Sequence, residues 1–164
     1  MKKLVSSLSV FSLVLFLDRV TKYWAYHYAQ HTIAINKFFS LSLTFNRGIS
    51  WGIGNGASSA TFVLISCMVA ILCSSFGYYM VQRYQEGSSI VPELCIFAGG
   101  ISNVIDRVWY HGVIDFIELH YGAWYWPSFN VADMAIVIGV VILMVKMLIP
   151  VYGENFSKKN ISNL

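Results

Sequence analysis

The stretch VADMAIVIGVVILMVKMLI, residues 131–149, carries only two charged side chains, Asp133 near its start and Lys146 near its end. About 20 mostly apolar residues are what an α-helix needs to cross the hydrocarbon core of a bilayer. Runs of the same kind recur at 4–26, 60–82 and 89–108. The third is the weakest, because Pro92, Glu93, Asn103, Asp106 and Arg107 interrupt it. The whole chain is 57% hydrophobic and 12% charged, against a charged share of about 25% in soluble domains. The expected fold is therefore a membrane all-α protein of four transmembrane helices, forming one integral-membrane domain over residues 1–164. Lys2-Lys3 followed by an apolar run imitates a signal peptide, but Asp18-Arg19-Val20 stands where small residues would mark a cleavage site. An uncleaved first helix is the expectation.

Two stretches between the apolar runs, 30–57 and 109–130, differ in character. In the first, Phe39-Ser40-Leu41-Ser42-Leu43-Thr44-Phe45 alternates apolar and polar, the pattern of a half-buried strand. Asn46-Arg47-Gly48 then opens a loop that also contains Gly52, Gly54 and Gly56. The second is rich in Trp109, Tyr110, Tyr121, Trp124, Tyr125 and Trp126, ring types that gather at the membrane–water interface. An even number of spans puts both termini on one side. Lys2, Lys3, Arg83, Lys146, Lys158 and Lys159 then oppose Arg19, Lys22, Lys37, Arg47 and Arg107, which favours cytoplasmic termini and an outward-facing β segment and loop.

Several chemistries are excluded. A net charge of +3, scattered along the chain, gives no nucleic-acid footprint. Cys67, Cys73 and Cys95 lie in apolar runs without metal-ligand spacing, and His27, His31, His111 and His120 form no HExxH pattern. Gly48-Ile49-Ser50-Trp51-Gly52 matches a nucleophile elbow by letter, but the chain has no room for the strand–helix scaffold that the elbow requires. Asn160-Ile161-Ser162 is a formal glycosylation sequon on the expected cytoplasmic tail.

The acids sort by side. Asp18, Asp106, Asp115 and Asp133 all fall at the outer ends of helices or in the second outer stretch, and ionisable groups at membrane level mark functional sites by default. Asp115 and Asp133 stand out, because the connection 116–132 is long enough to fold back and bring them together. Two carboxyls sharing a site split their pKa values, so that one serves as base and the other as acid, as in aspartic proteases. Blander accounts stand beside this one. Asp133 caps a helix with Asn130 three residues earlier; Asp115 is a solvated loop acid; Asp106 and Arg107 pair at a helix end; Asp18 and Lys22 form an i,i+4 pair. Asn103 and Arg107, four residues apart, share one helix face. Glu93 reads as an interfacial anchor at the inner end of the third helix.

With those residues in hand, the sequence resembles the bacterial lipoprotein signal peptidases, the signal peptidase II family. The resemblance lies in five ordered blocks: Asp18-Arg19-Val20-Thr21-Lys22; Asn46-Arg47-Gly48-Ile49-Ser50-Trp51-Gly52; Gly99-Gly100-Ile101-Ser102-Asn103-Val104-Ile105-Asp106-Arg107; Gly112-Val113-Ile114-Asp115-Phe116; and Pro127-Ser128-Phe129-Asn130-Val131-Ala132-Asp133. It implies a membrane-embedded aspartic endopeptidase that cuts prolipoproteins before a diacylglyceryl-modified cysteine. Asp115 and Asp133 would be catalytic, and Asp18, Lys22, Asn46, Arg47, Gly48, Asn103, Arg107 and Asn130 would bind substrate or support the site. No metal or organic cofactor is implied. The partners would be lipid-modified prolipoproteins and membrane lipid, for a monomer in the bacterial cytoplasmic membrane with its active site toward the outer face. Ser102 departs from the family, which has glycine there. A small four-helix membrane transporter is the alternative reading.

Overall fold

The computed structural model describes residues 2–48 and 58–161. Ile49, Ser50, Trp51, Gly52, Gly54 and Gly56, and with them most of the second block of the resemblance, lie outside the described residues, as does Ser162. Four long helices appear where the apolar runs stand: α1 (Lys2–Tyr28), α2 (Ser59–Gln85), α3 (Val91–Tyr110) and α4 (Val131–Ile161). Local chemistry sets the ends of α2 and α3. Ser58 caps α2 by accepting from the Thr61 amide, and Gly87, at φ 78°, ends it by folding its own N–H back to the Tyr84 carbonyl. Pro92 opens α3, and His111 closes it in the left-handed region at φ 55°.

By length and composition, two helices among the described residues are apolar enough to cross a membrane: α2, and α4 over Val131–Leu148. Helix α3 carries Glu93, Asp106 and Arg107 along its length, yet it is the centre of the bundle, packed against α1, α2 and α4. The closest packing is between α3 and α4, and glycines permit it. A Cβ on Gly99 would stand 2.5 Å from the Ala132 carbonyl oxygen, and one on Gly139 would stand 2.5 Å from that of Pro92. Small residues at such crossings let helix backbones approach where no hydrophobic effect drives association.

The polarity of the bundle is reversed from that of a soluble protein. Leu64, Ile71 and Met147 are 70%, 65% and 74% exposed, while Asp18, Lys22, Asp106 and Asn130 are at most 1% exposed. An apolar exterior around a charged interior suits a lipid surround.

Across one end of the bundle lies a four-stranded sheet in the order β1-β2-β3-β4: β1 (Ile33–Asn36), β2 (Phe39–Asn46), β3 (Val113–Tyr121) and β4 (Trp124–Tyr125). Strand β2 is the one the alternation predicts, and every pairing is antiparallel. Asn36 accepts from the Phe38 amide at 2.8 Å to tighten the β1–β2 turn. Strand β3 corrects an expectation, since 109–130 read as an outer loop. Residues 113–116 of β3 are buried on both faces, so no period of two marks them in the sequence. The sheet rests on the end of α1 through Ala25, Ala29, Ile114 and Phe116, with Leu41, Leu43, Ile117 and Val131 packed around them.

Candidate functional site

Asp115 sits on β3 opposite Thr44 of β2 and is 1% exposed, so it is not a solvated loop acid. The chain after it turns back through the β3–β4 hairpin and returns alongside β3, where the Phe129 and Ile117 backbones exchange hydrogen bonds at 2.9 and 3.1 Å. That return delivers Asn130 to Asp115 and starts α4 one residue later. The fold-back expected of 116–132 is thus built from a strand pair.

Three asparagines then hold the two aspartates. Asp115 accepts from Asn46 Nδ2 at 3.0 Å through Oδ2 and from Asn130 Nδ2 at 2.7 Å through Oδ1. Asp133 accepts from Asn103 Nδ2 at 2.9 Å through Oδ1 and from the Asn130 amide at 3.1 Å through Oδ2. In return the Asp133 amide donates to Asn130 Oδ1 at 2.9 Å. The capping account of Asp133 is therefore correct in geometry, and the same carboxylate is near enough to Asp115 for its charge to act there. Burial pushes the Asp115 carboxyl up to about 7, and the neighbouring charge of Asp133 adds to the rise, against the opposing hydrogen bonds from Asn46 and Asn130. As pH rises through about 7 the pair therefore gives up the proton that Asp115 holds in more acid solution.

Beneath this pair lies an ion network. Lys22 Nζ reaches Asp18 Oδ2 at 2.8 Å, Asp106 Oδ2 at 2.7 Å and Asn103 Oδ1 at 2.7 Å, using all three of its donors. Arg19 bridges the same acids, at 2.7 Å to Asp106 and 3.0 Å to Asp18. Two acids and two bases balance, which is the condition for burying them at all. Asp18 Oδ1 also accepts from the Ala132 amide at 2.8 Å, so a side chain of α1 caps the start of α4. The Ile114 amide donates to Asp106 at 3.2 Å, which ties the approach to Asp115 to the same network.

Several site expectations change in detail. The i,i+4 pair of Asp18 and Lys22 forms, but as part of this larger network. Asp106 and Arg107 do not pair; neighbours in a helix point about 100° apart, and Asp106 faces Arg19 and Lys22 while Arg107 donates to the Gly48 carbonyl. Glu93 is no interfacial anchor. It is fully buried, with its Oε1 lying 3.6 Å from Arg83 Nε. Ser102, the departure from the resemblance, donates to Asp18 Oδ2 at 2.6 Å and accepts from Arg19 through its carbonyl. Arg19, Asp106 and Ser102 are the structural members that the sequence reading left out of the site, although all three lie within the quoted blocks.

A cavity of about 650 Å³ opens beside the pair. Its polar end holds Asn46, Asn103, Arg107, Asp115 and Asp133, and its opposite wall is apolar, from Val69, Gly100 and 136–138. Asp18 and Lys22 stand below it and do not line it. Among the described residues no cluster of side chains has metal-ligand composition.

Residues 10–149 match the family described as signal peptidase (SPase) II, peptidase A8. The lipoprotein signal peptidase of Syntrophus aciditrophicus (strain SB) is 33% identical over 152 residues, spanning 90% of this chain and 94% of that protein. That of Paraburkholderia phymatum is 36% identical over 146 residues, spanning 84% of each. A solved structure of a bacterial membrane enzyme superposes with a TM-score of 0.72 at 26% identity, covering 87% of both chains. Fold, buried acids and relatives define a membrane protease. More narrowly, the chain belongs to the signal peptidase II family, the lipoprotein signal peptidases, and the transporter alternative loses its support.

Proposed function

We propose that this chain removes signal peptides from prolipoproteins by cleaving before the diacylglyceryl-modified cysteine, with Asp115 and Asp133 as the catalytic dyad. The observation that carries the reading is the asparagine-held pair at the polar end of an apolar-walled cavity, one member of it pushed up to about 7. In this reading the ionised carboxylate takes a proton from a water poised between the two acids. That water's oxygen attacks the scissile carbonyl carbon, and the protonated carboxyl donates to the carbonyl oxygen as it becomes an oxyanion. Collapse of the tetrahedral intermediate breaks the C–N bond, and the proton taken from water passes to the leaving amine. Asn46, Asn103 and Asn130 keep both carboxyls oriented, and Arg107, whose guanidinium lies at the cavity wall, supplies donors and positive charge near the oxyanion. The apolar wall formed by α2, α3 and α4 suits the acyl chains and the apolar part of a signal peptide.

The same reading takes residues 1–164 as one domain that crosses the bacterial cytoplasmic membrane four times as a monomer. Both termini are cytoplasmic and the sheet faces outward. The apolar exterior of the bundle and the distribution of lysine and arginine support this. The direct test is cleavage of a diacylglyceryl-modified precursor by purified protein in detergent, with Asp133→Asn and an unlipidated precursor alongside. Cleavage before the modified cysteine, lost in the variant and absent for the control, is the expected result. Equal cleavage by Asp133→Asn sinks the dyad.

A further inference from the structure

Phe62 lies in the first turn of α2, a position that belongs to none of the sequence blocks, and is 6% exposed. Its ring lies 5.3 Å from the Arg47 guanidinium carbon and 5.9 Å from that of Arg107, while the His111 ring stands 6.5 Å away. Both arginine separations fall within the range in which a cation is drawn to the negative face of an aromatic ring, about 6 Å. Arg107 needs such support. It is 7% exposed, its Nη2 donates to the Gly48 carbonyl, and its Nη1 is buried without a hydrogen-bond partner among the described residues. A guanidinium has five donors in a fixed fork, and the one hydrogen bond it makes among the described residues leaves its plane free to turn. The ring beside it restricts that freedom, and it does so for two cations that would otherwise repel each other.

We infer that Phe62 is a positioning residue for the peptidase reaction: its aromatic face holds Arg107 against the cavity wall and anchors Arg47, and with it the Asn46–Gly48 strand end, beside Asp115. Helix α2 thereby gains a role in the site that its apolar sequence conceals. Asn46 donates to Asp115 and its Oδ1 accepts from the Gly48 amide at 3.0 Å, so a displaced Arg47 disturbs a direct partner of the dyad. Gly112 leaves the room for this arrangement, since a Cβ there would stand 3.3 Å from Phe45 Cβ and 3.5 Å from Arg47 Cγ. The inference rests on the reading of Asp115 and Asp133 as the catalytic pair.

The experiment replaces Phe62 with its mono-, di- and trifluorinated analogues, which keep the shape of the side chain while draining electron density from the ring face, and adds Phe62→Leu. Cleavage of a lipidated precursor is the readout, with Asp115→Asn measured beside it. A stepwise fall in kcat/KM along the fluorine series is expected, ending about tenfold down for Phe62→Leu, in keeping with two cation–π contacts of modest strength. Combined with Arg107→Lys, Phe62→Leu should cost less than it does alone, because the stacked contact with Arg107 is already lost while the one with Arg47 remains. A flat fluorine series, or full additivity with Arg107→Lys, overturns the inference. Cleavage surviving in Asp115→Asn would instead overturn the underlying reading of the dyad, so the two failures are told apart.

Discussion

Asn130 and Asp133 cap each other across the first turn of α4: the Asp133 amide donates to Asn130 Oδ1 at 2.9 Å, and the Asn130 amide donates to Asp133 Oδ2 at 3.1 Å. Reciprocal capping of this kind satisfies two of the donors that a helix start leaves orphaned. Here the capping carboxylate is also one of the two acids at the cavity, and the side-chain amide of Asn130 donates to the other, as well as to Asn103 Oδ1 at 3.2 Å. The helix start and the acid pair are one structure.

Separating those duties is a direct test. Asn130→Ser keeps an oxygen able to accept from the Asp133 amide but loses the amide that donates to Asp115. It should stay within about 1 kcal/mol of wild-type stability and yet cleave lipidated precursor far more slowly. Asn130→Ala should lose both, with unfolding in detergent shifted by about 1–2 kcal/mol. If Asn130→Ser cleaves at the wild-type rate, the bond to Asp115 has no catalytic consequence.

The raised Asp115 carboxyl makes a signed prediction about pH. Its pKa moves from an ordinary 3.8 in the unfolded chain to about 7 in the fold. Below the lower value both states hold the proton, and the group has no net effect. As pH rises from there to about 7, the unfolded chain releases its proton first, so the folded state loses stability, and the loss is complete above 7. Asp115→Asn, which never ionises, should therefore be more stable than wild type at pH 8, and the gap should close as pH falls toward 4. Thermal unfolding in detergent across that range measures it, and a gap that widens in acid contradicts the assignment. Cleavage by wild type should fall as pH rises through about 7, where Asp115 gives up the proton that the reaction needs.

Lys22 holds Asp18, Asp106 and Asn103 at once. Lys22→Met leaves two buried carboxylates with Arg19 as their remaining cation, and breaking a buried pair from one side costs about 3–5 kcal/mol. Cleavage should fall as well, because Asn103 loses the cation that turns its amide toward Asp133. Replacing Lys22, Asp18 and Asp106 together with apolar or amide residues should recover much of the stability and none of the activity. Chemical unfolding and cleavage assays on both proteins decide this.

Glycine tolerance should follow the space at each position. Gly99→Ala and Gly139→Ala each place a Cβ 2.5 Å from a backbone oxygen of the neighbouring helix, so α3 and α4 must separate. A cost of about 1–3 kcal/mol is expected for each. Gly100→Ala meets only the Cys73 sulfur, at 3.1 Å, and should be far milder in stability. An equal loss at all three positions, measured by thermal unfolding, would remove the close-packing account.

How much was legible in advance differs from element to element. The helices followed from apolar length, and β2 from its alternation. Strand β3 did not, because residues 113–116 are covered on both faces and Asp115 interrupts an otherwise apolar run. Asn46, Asn103, Asn130, Asp115 and Asp133 were all named from the sequence, and they do meet. Asp18 and Lys22 were grouped with them, yet they lie a layer below, where they hold α1, α3 and α4 together. Phe62 was invisible, since an aromatic at the start of an apolar helix carries no signal beyond hydropathy.

The sequence by itself determined the membrane character, the four helices and the family, because these depend on composition, run length and ordered local motifs. Only the tertiary structure decided which carboxylates face a cavity and which are consumed in ion pairs. Asp106 and Asp115 are both buried and both sit in motif blocks, but one meets Lys22 and Arg19 while the other meets two asparagine amides and Asp133. That difference arises from where a hairpin returns and how closely α3 approaches α4. Both are set by contacts between residues far apart in the chain, which no local pattern encodes.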